Sequence, residues 1–141
     1  MIEFFFEDCI EVDIPKSLVI KKICYVSKNE GFNTSFINII LCSDDFLLKM
    51  NKEHLDHDYF TDIITFNYNS ERTLSGDLFI SVDRIRENAS IENSPFLMEL
   101  ERVILHGVLH LCGFNDKTPS EIKQMRYKED FYLDMDVSRQ T

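Results

Sequence analysis

Ser94-Pro95-Phe96-Leu97-Met98-Glu99-Leu100-Glu101-Arg102-Val103-Ile104-Leu105-His106-Gly107-Val108-Leu109-His110-Leu111-Cys112-Gly113 is the stretch on which the reading of the whole chain turns. Ser94 suits an N-cap, and Pro95 suits the first helical position, where its missing N–H leaves no helical bond unmade. From there to Cys112 only Gly107 interrupts helix-forming sequence. Leu97, Leu100, Val103, Ile104, Leu105, Val108, Leu109 and Leu111 leave almost no polar face near the end of the helix. A helix that is apolar all round belongs in an interior, so other layers must cover it. Gly113 is the expected stop.

The flanking sequence supplies those layers. Residues 2–6 read as a short strand, and Pro15 opens a helix that runs to about Glu30 and stops at Gly31. Residues 35–42 are apolar and β-branched enough for a second strand. Ser43 caps a helix with Asp44 and Asp45 in its first turn and Phe46, Leu47 and Met50 as its apolar stripe. A polar loop over residues 54–60 leads to a strand over 61–68, a turn over 69–75 and a strand over 77–81, and the two strands can pair as a hairpin. Residues 82–90 form a helix, and Thr118-Pro119-Ser120-Glu121 is a capping box for a last helix ending near Leu133. Strands and helices mix without a regular βαβ alternation. The expectation is therefore an α+β fold, with a small mixed sheet of about four strands packed against helices. No linker, repeat or low-complexity run divides the chain, so residues 1–141 are expected to form a single domain.

Composition narrows the class. The chain has 141 residues, 44% of them hydrophobic and twelve of them Phe, enough for one packed core. No apolar run approaches the ~18 residues of a membrane span. The first eight residues are acidic where a signal peptide is basic, so a cytoplasmic protein that engages no membrane is expected. Cys9, Cys24, Cys42 and Cys112 are widely spaced with no CxxC pair, and reduced, half-buried thiols are the expectation. The net charge of −10 runs against tight, non-specific binding of nucleic acid, so any RNA contact must come from a local patch. Part of the acid (Glu3, Glu7, Asp8, Glu11 and Asp13) lies in a segment without Lys or Arg, and can sit far from a site.

His106 and His110 lie four residues apart, one helical turn, so their imidazoles leave the same face about 5–6 Å apart at Cβ. Two imidazoles at that spacing can hold one metal ion. Gly113 follows three residues later and Asp116 three beyond it, the spacing of metzincin-type sites in which helix, sharp turn and third ligand wrap one ion. The expected site is thus zincin-like: His106, His110 and Asp116 on a buried helix and the turn after it. Three protein ligands leave a fourth position for water, as a catalytic zinc requires. Where zinc peptidases carry Glu after the first His, this chain has Gly107, which cannot accept a proton, so a metal-dependent peptidase or amidohydrolase is the weaker reading.

The run His106-Gly107-Val108-Leu109-His110-Leu111-Cys112-Gly113-Phe114-Asn115-Asp116 resembles the H-G-x-L-H-L-x-G-Y/F-D-H signature of the YbeY family. Thr61-Asp62-Ile63-Ile64-Thr65-Phe66 is similar to its T-[DN]-V-L-S-F strand, and Gly76-Asp77-Leu78-Phe79-Ile80-Ser81 to its G-D-I-x-I-S strand. The resemblance implies a single-strand-specific, metal-dependent endoribonuclease in ribosomal RNA maturation and ribosome quality control. It also implies ribosome or assembly-factor partners and one Zn2+ held at His106, His110 and Asp116. Two departures stand out. Asp116 replaces the usual His, which keeps a competent ligand but suits a harder ion such as Mn2+ better. Leu55 stands where family members carry an Arg suited to phosphate. A non-catalytic zinc-binding assembly factor is the alternative that Leu55 and the acidic charge favour. Lys52, His54, His57, Arg72 and Lys117 are candidate RNA contacts, and Asp62 and Asp77 are expected to cap, to pair or to orient a histidine rather than to act as bases.

Overall fold

The helix that carries both histidines lies across a four-stranded sheet in the computed structural model, which describes residues 1–57 and 59–136. In chain order the elements are β1 (Ile2–Glu7), α1 (Lys16–Asn29), β2 (Asn33–Cys42), α2 (Asp44–Leu55), β3 (Ile63–Asn67), β4 (Thr73–Ser81), α3 (Val82–Glu92), α4 (Phe96–Leu111) and α5 (Pro119–Leu133). The sheet order is β1-β2-β4-β3, with β1, β2 and β4 mutually parallel and β3 antiparallel to β4. This is the mixed α+β arrangement that the sequence pattern implies. Among the described residues, no helix is long and apolar enough to cross a membrane.

Strand alternation divides the helices between two faces. Leu78 and Ile80 of β4 enter the main core with Ile104, Leu105, Val108 and Leu109 of α4. Phe79 points the other way and joins Ile64, Phe66 and Leu47 under α2. Ile104, Val108 and Leu109 are fully buried, each worth about 1.5–3 kcal/mol of transfer from water. Gly107 is explained by this packing: a Cβ there would stand 2.8 Å from Ile63 Cδ1 and 3.0 Å from Leu78 Cδ2, so α4 rides close on the sheet at the turn between the histidines. Gly76 is as tight and less able to yield, because its Cβ would meet a backbone atom, the Phe66 carbonyl oxygen, at 2.8 Å.

Three expectations need correction. β4 begins at Thr73 rather than Asp77, and β2 at Asn33, because Asn33 pairs with Thr73 and Ile37 with Gly76 in a parallel ladder that turn-forming residues conceal. Ser94 does not cap α4. Its N–H closes the end of α3 by donating to the Ala89 carbonyl, Pro95 takes the N-cap, and Ser94 Oγ is buried without a partner. The four thiols are free, but Cys24 is exposed and Cys42 is buried, rather than all being half-buried. Burial pushes Cys42 and Cys112 up to about 12, which leaves them unreactive. The capping box at Thr118 is present as expected, with Pro119 at the start of α5.

Candidate metal centre

The end of α4 builds the site by local geometry. Phe114 N–H donates to the Leu109 carbonyl and Gly113 N–H to that of His110, with Gly113 at φ 100°, a left-handed turn that a side chain would strain. The turn reverses the chain, so that Asp116 comes back beside the helix. Asp116 Oδ2 then lies 3.2 Å from His106 Nε2 and 3.3 Å from His110 Nε2, and the two Nε2 atoms are 3.0 Å apart. His106, His110 and Asp116 are the one group of three or more His, Cys, Asp or Glu side chains among the described residues that can hold a metal ion.

The outer ring nitrogens define the tautomers. His106 Nδ1 lies 2.7 Å from Glu129 Oε2, and His110 Nδ1 lies 2.9 Å from the Phe114 carbonyl. Carboxylate and carbonyl oxygens only accept, so both Nδ1 atoms carry the proton. With both rings neutral, both Nε2 lone pairs face Asp116 Oδ2 and each other, and only a second proton on a ring or a bound cation relieves their repulsion. Zinc bonds of about 2.0–2.2 Å at tetrahedral angles set ligand atoms about 3.3–3.5 Å apart, close to the three edges found here. The donor set fits a divalent ion.

Electrostatics point the same way. Burial pushes His106 toward neutrality, but the hydrogen bond and charge of Glu129, joined by Asp116 and Asp62, outweigh it and raise its pKa. The pocket favours positive charge, whether proton or metal. Glu129 is itself buried on α5 and receives Arg102 at 3.2 Å. Sequence reading missed it, because no local pattern links α5 to a histidine 23 residues earlier.

Two clefts meet at the triad. The helical cleft, of about 450 Å³, runs between α3, α4 and α5 and is lined by Glu92, Glu99, Arg102, Arg126 and Glu129 beside Asp62 and His106. The strand-side cleft, of about 510 Å³, runs from the end of α2 along β3 and is lined by Leu55, His57, Tyr59, Thr65 and Lys117 beside the triad. Asp62 borders both, and burial raises its pKa against the pull of His106. Of the other candidates, His57 and Lys117 lie in the strand-side cleft. His54 instead sets its ring edge against Phe66, and Arg72 lies over Phe32. Lys52 lines neither cleft. Asp77 faces away from α4 and accepts from Asn38 Nδ2 at 3.0 Å, so of the roles expected for it, it takes that of a pairing residue and orients neither histidine.

Comparison with known proteins identifies the family. The family model described as Endoribonuclease YbeY matches residues 7–135. A Cytophaga hutchinsonii protein named Endoribonuclease YbeY is 44% identical over 135 residues, 94% of this chain and 94% of its own. Its counterpart from Phocaeicola vulgatus is 48% identical over 117 residues, 83% of this chain and 85% of its own. The solution structure of a Thermotoga maritima protein superposes with a TM-score of 0.66 at 28% identity, covering 94% of this chain and 87% of that one. With the signature run wrapped around three converging donor atoms, and the match extending through nearly the whole sequence, the chain belongs to the YbeY endoribonuclease family.

Proposed function

We propose that the protein is a single-strand-specific endoribonuclease that hydrolyses RNA phosphodiesters at a zinc centre formed by His106, His110 and Asp116, and that it serves ribosomal RNA maturation and ribosome quality control. The observation that carries this reading is the convergence of His106 Nε2, His110 Nε2 and Asp116 Oδ2 within hydrogen-bond distance of one another, at a point where an open cleft reaches them. Two imidazoles and a carboxylate favour zinc, with manganese the next choice. Once bound, such an ion makes a coordinated water acidic and draws charge from a phosphate oxygen.

The chain's own groups do the positioning. Glu129 and the Phe114 carbonyl hold the two imidazoles by Nδ1, fixing the tautomer and the direction of each Nε2. Asp62 adds negative charge beside His106. Lys117, exposed next to Asp116, offers a cation to the RNA backbone. Residues 1–141 act as one domain, a reading supported by the main core running from Ile14 to Tyr132. The protein works in the cytoplasm, with ribosomal RNA and the ribosome or its assembly factors as partners.

A labelled single-stranded RNA tests the reading. The zinc-loaded protein is expected to cleave it. Chelator is expected to abolish cleavage, and His110→Ala to abolish both cleavage and stoichiometric metal in elemental analysis. RNA left intact by fully metal-loaded protein overturns the nuclease reading.

A further inference from the structure

Phosphate chemistry at the triad gives no role to the pair of rings in the strand-side cleft. His57 and Tyr59 stack with centroids 5.1 Å apart and planes inclined at 21°, and Tyr59 Oη lies 3.0 Å from His57 Nδ1. Both side chains are exposed, Tyr59 to 55%. Each residue is nevertheless hydrogen-bonded through its backbone to α2. Asn51 is 2% exposed, its carbonyl accepts from His57 N–H at 3.1 Å, and its Nδ2 donates to the Tyr59 carbonyl at 3.0 Å. Asp56 supports the bend with φ at 55°, in the left-handed region that Asp tolerates. Asn51 thus ties the backbones of both ring-bearing residues to α2, and the exposed rings line the same cleft as His110 and Lys117.

We propose that the His57–Tyr59 pair is a base-stacking subsite that binds an unpaired nucleobase of the RNA strand next to the scissile bond. The proposal rests on the nuclease reading above and supplies what that reading lacks. A chain of net charge −10 with Leu55 in place of a guanidinium has little electrostatic hold on a phosphate backbone. Stacking does not depend on charge, and every base offers a π-face. A base inside a duplex has both faces covered by its neighbours, so a subsite of this kind selects single strands. The helical cleft is the poorer track for the strand, because the carboxylates of Glu92, Glu99 and Glu129 line it.

The sequence contains no Trp, which permits a clean test. In full-length, zinc-loaded Tyr59→Trp the single indole reports on the subsite. A single-stranded oligoribonucleotide is expected to quench it, whereas the same sequence as a duplex is not. Tyr127→Trp, exposed on α5, serves as the control that neither quenches. Tyr59→Ala is expected to raise KM about five- to 150-fold, the range for one lost base stack, with kcat changed less than KM. A substrate with one abasic ribose beside the cleaved bond is expected to lose the same factor with the natural protein and almost nothing further with Tyr59→Ala. Unquenched indole together with an unchanged KM in Tyr59→Ala overturns the subsite while leaving the nuclease reading intact. Quenching by RNA that the natural protein never cleaves upholds base stacking at His57–Tyr59 but sinks the nuclease reading and, with it, the placement beside a scissile bond.

Discussion

The two clefts that meet at His106 differ in the kind of chemistry they can support. In the helical cleft Glu129, Glu99, Glu92 and Asp62 outnumber Arg102 and Arg126, and Glu129 binds His106 directly. That wall raises the pKa of a histidine and repels phosphate. The strand-side cleft shares Asp62 and Asp116 with the helical one but adds no further carboxylate, and away from the triad it presents Lys117, two stacked rings and Leu55. One side of the triad is suited to holding a cation and the other to admitting the substrate. A small protein separates these tasks because carboxylates that sharpen a metal ligand would, on the substrate side, oppose the RNA backbone.

The largest effect should come from breaking the first task alone. Glu129→Gln keeps the shape but removes the charge that fixes the Nδ1–H of His106. Metal affinity is expected to fall about 10–100-fold, as for other groups that orient a ligand from behind. Asp77→Asn, on the far face of the sheet, should leave metal affinity unchanged. Competition with a fluorescent zinc chelator measures both. Equal affinities for the two variants would mean that the helical wall does not hold the ligand.

How much of this division is legible in sequence depends on distance along the chain. His106, His110, Gly113 and Asp116 lie within eleven residues, so helical spacing and one left-handed turn suffice to bring them together. Glu129 reaches His106 only through the packing of α5 on α4, and Asn51 acts through a loop whose bend shows in neither residue type nor periodicity. Asp77 misleads for the opposite reason. Its motif is local, but Leu78 and Gly76 occupy the face toward α4, and strand alternation then turns Asp77 away. Ser94 carries the residue type of a cap, yet the end of α3 claims its N–H first. The edge position of β1 likewise emerges only from the sheet order. That order puts two strands, β2 and β4, between β3 and the β1 strand that carries Glu3 and Glu7, so part of the acid in the net charge stands apart from the substrate side.

A smaller effect should sharpen the second task. Leu55 is 41% exposed in the strand-side cleft, at the position where the family resemblance expects Arg. Leu55→Arg is expected to lower KM for single-stranded RNA about three- to ten-fold at low salt, and to steepen the log–log salt dependence by about 0.7, the slope for one added phosphate contact. Metal content should not change. A KM that drops equally at low and high salt would show that the new side chain does not reach phosphate.

The smallest effect concerns the acid of the helical cleft. Glu99 is buried, and that burial, with the neighbouring Glu92 carboxylate, raises its pKa from 4.5 to about 7. The folded state therefore retains a proton that the unfolded chain releases. The sign follows from linkage: between about pH 4.5 and 7 the folded form binds more protons, so stability is greatest below that window and declines as pH rises through it. Glu99→Gln has no proton to lose. Its melting temperature is expected to fall less than that of the natural protein between pH 5 and pH 8, by a few degrees at most because the cleft is open to water. KM for RNA should stay the same, since the strand runs on the other side of the triad. Thermal melts across the pH series and KM at a single pH check both expectations. A KM that shifts in Glu99→Gln would place RNA in the helical cleft, and the two sides would then share the substrate rather than divide the work.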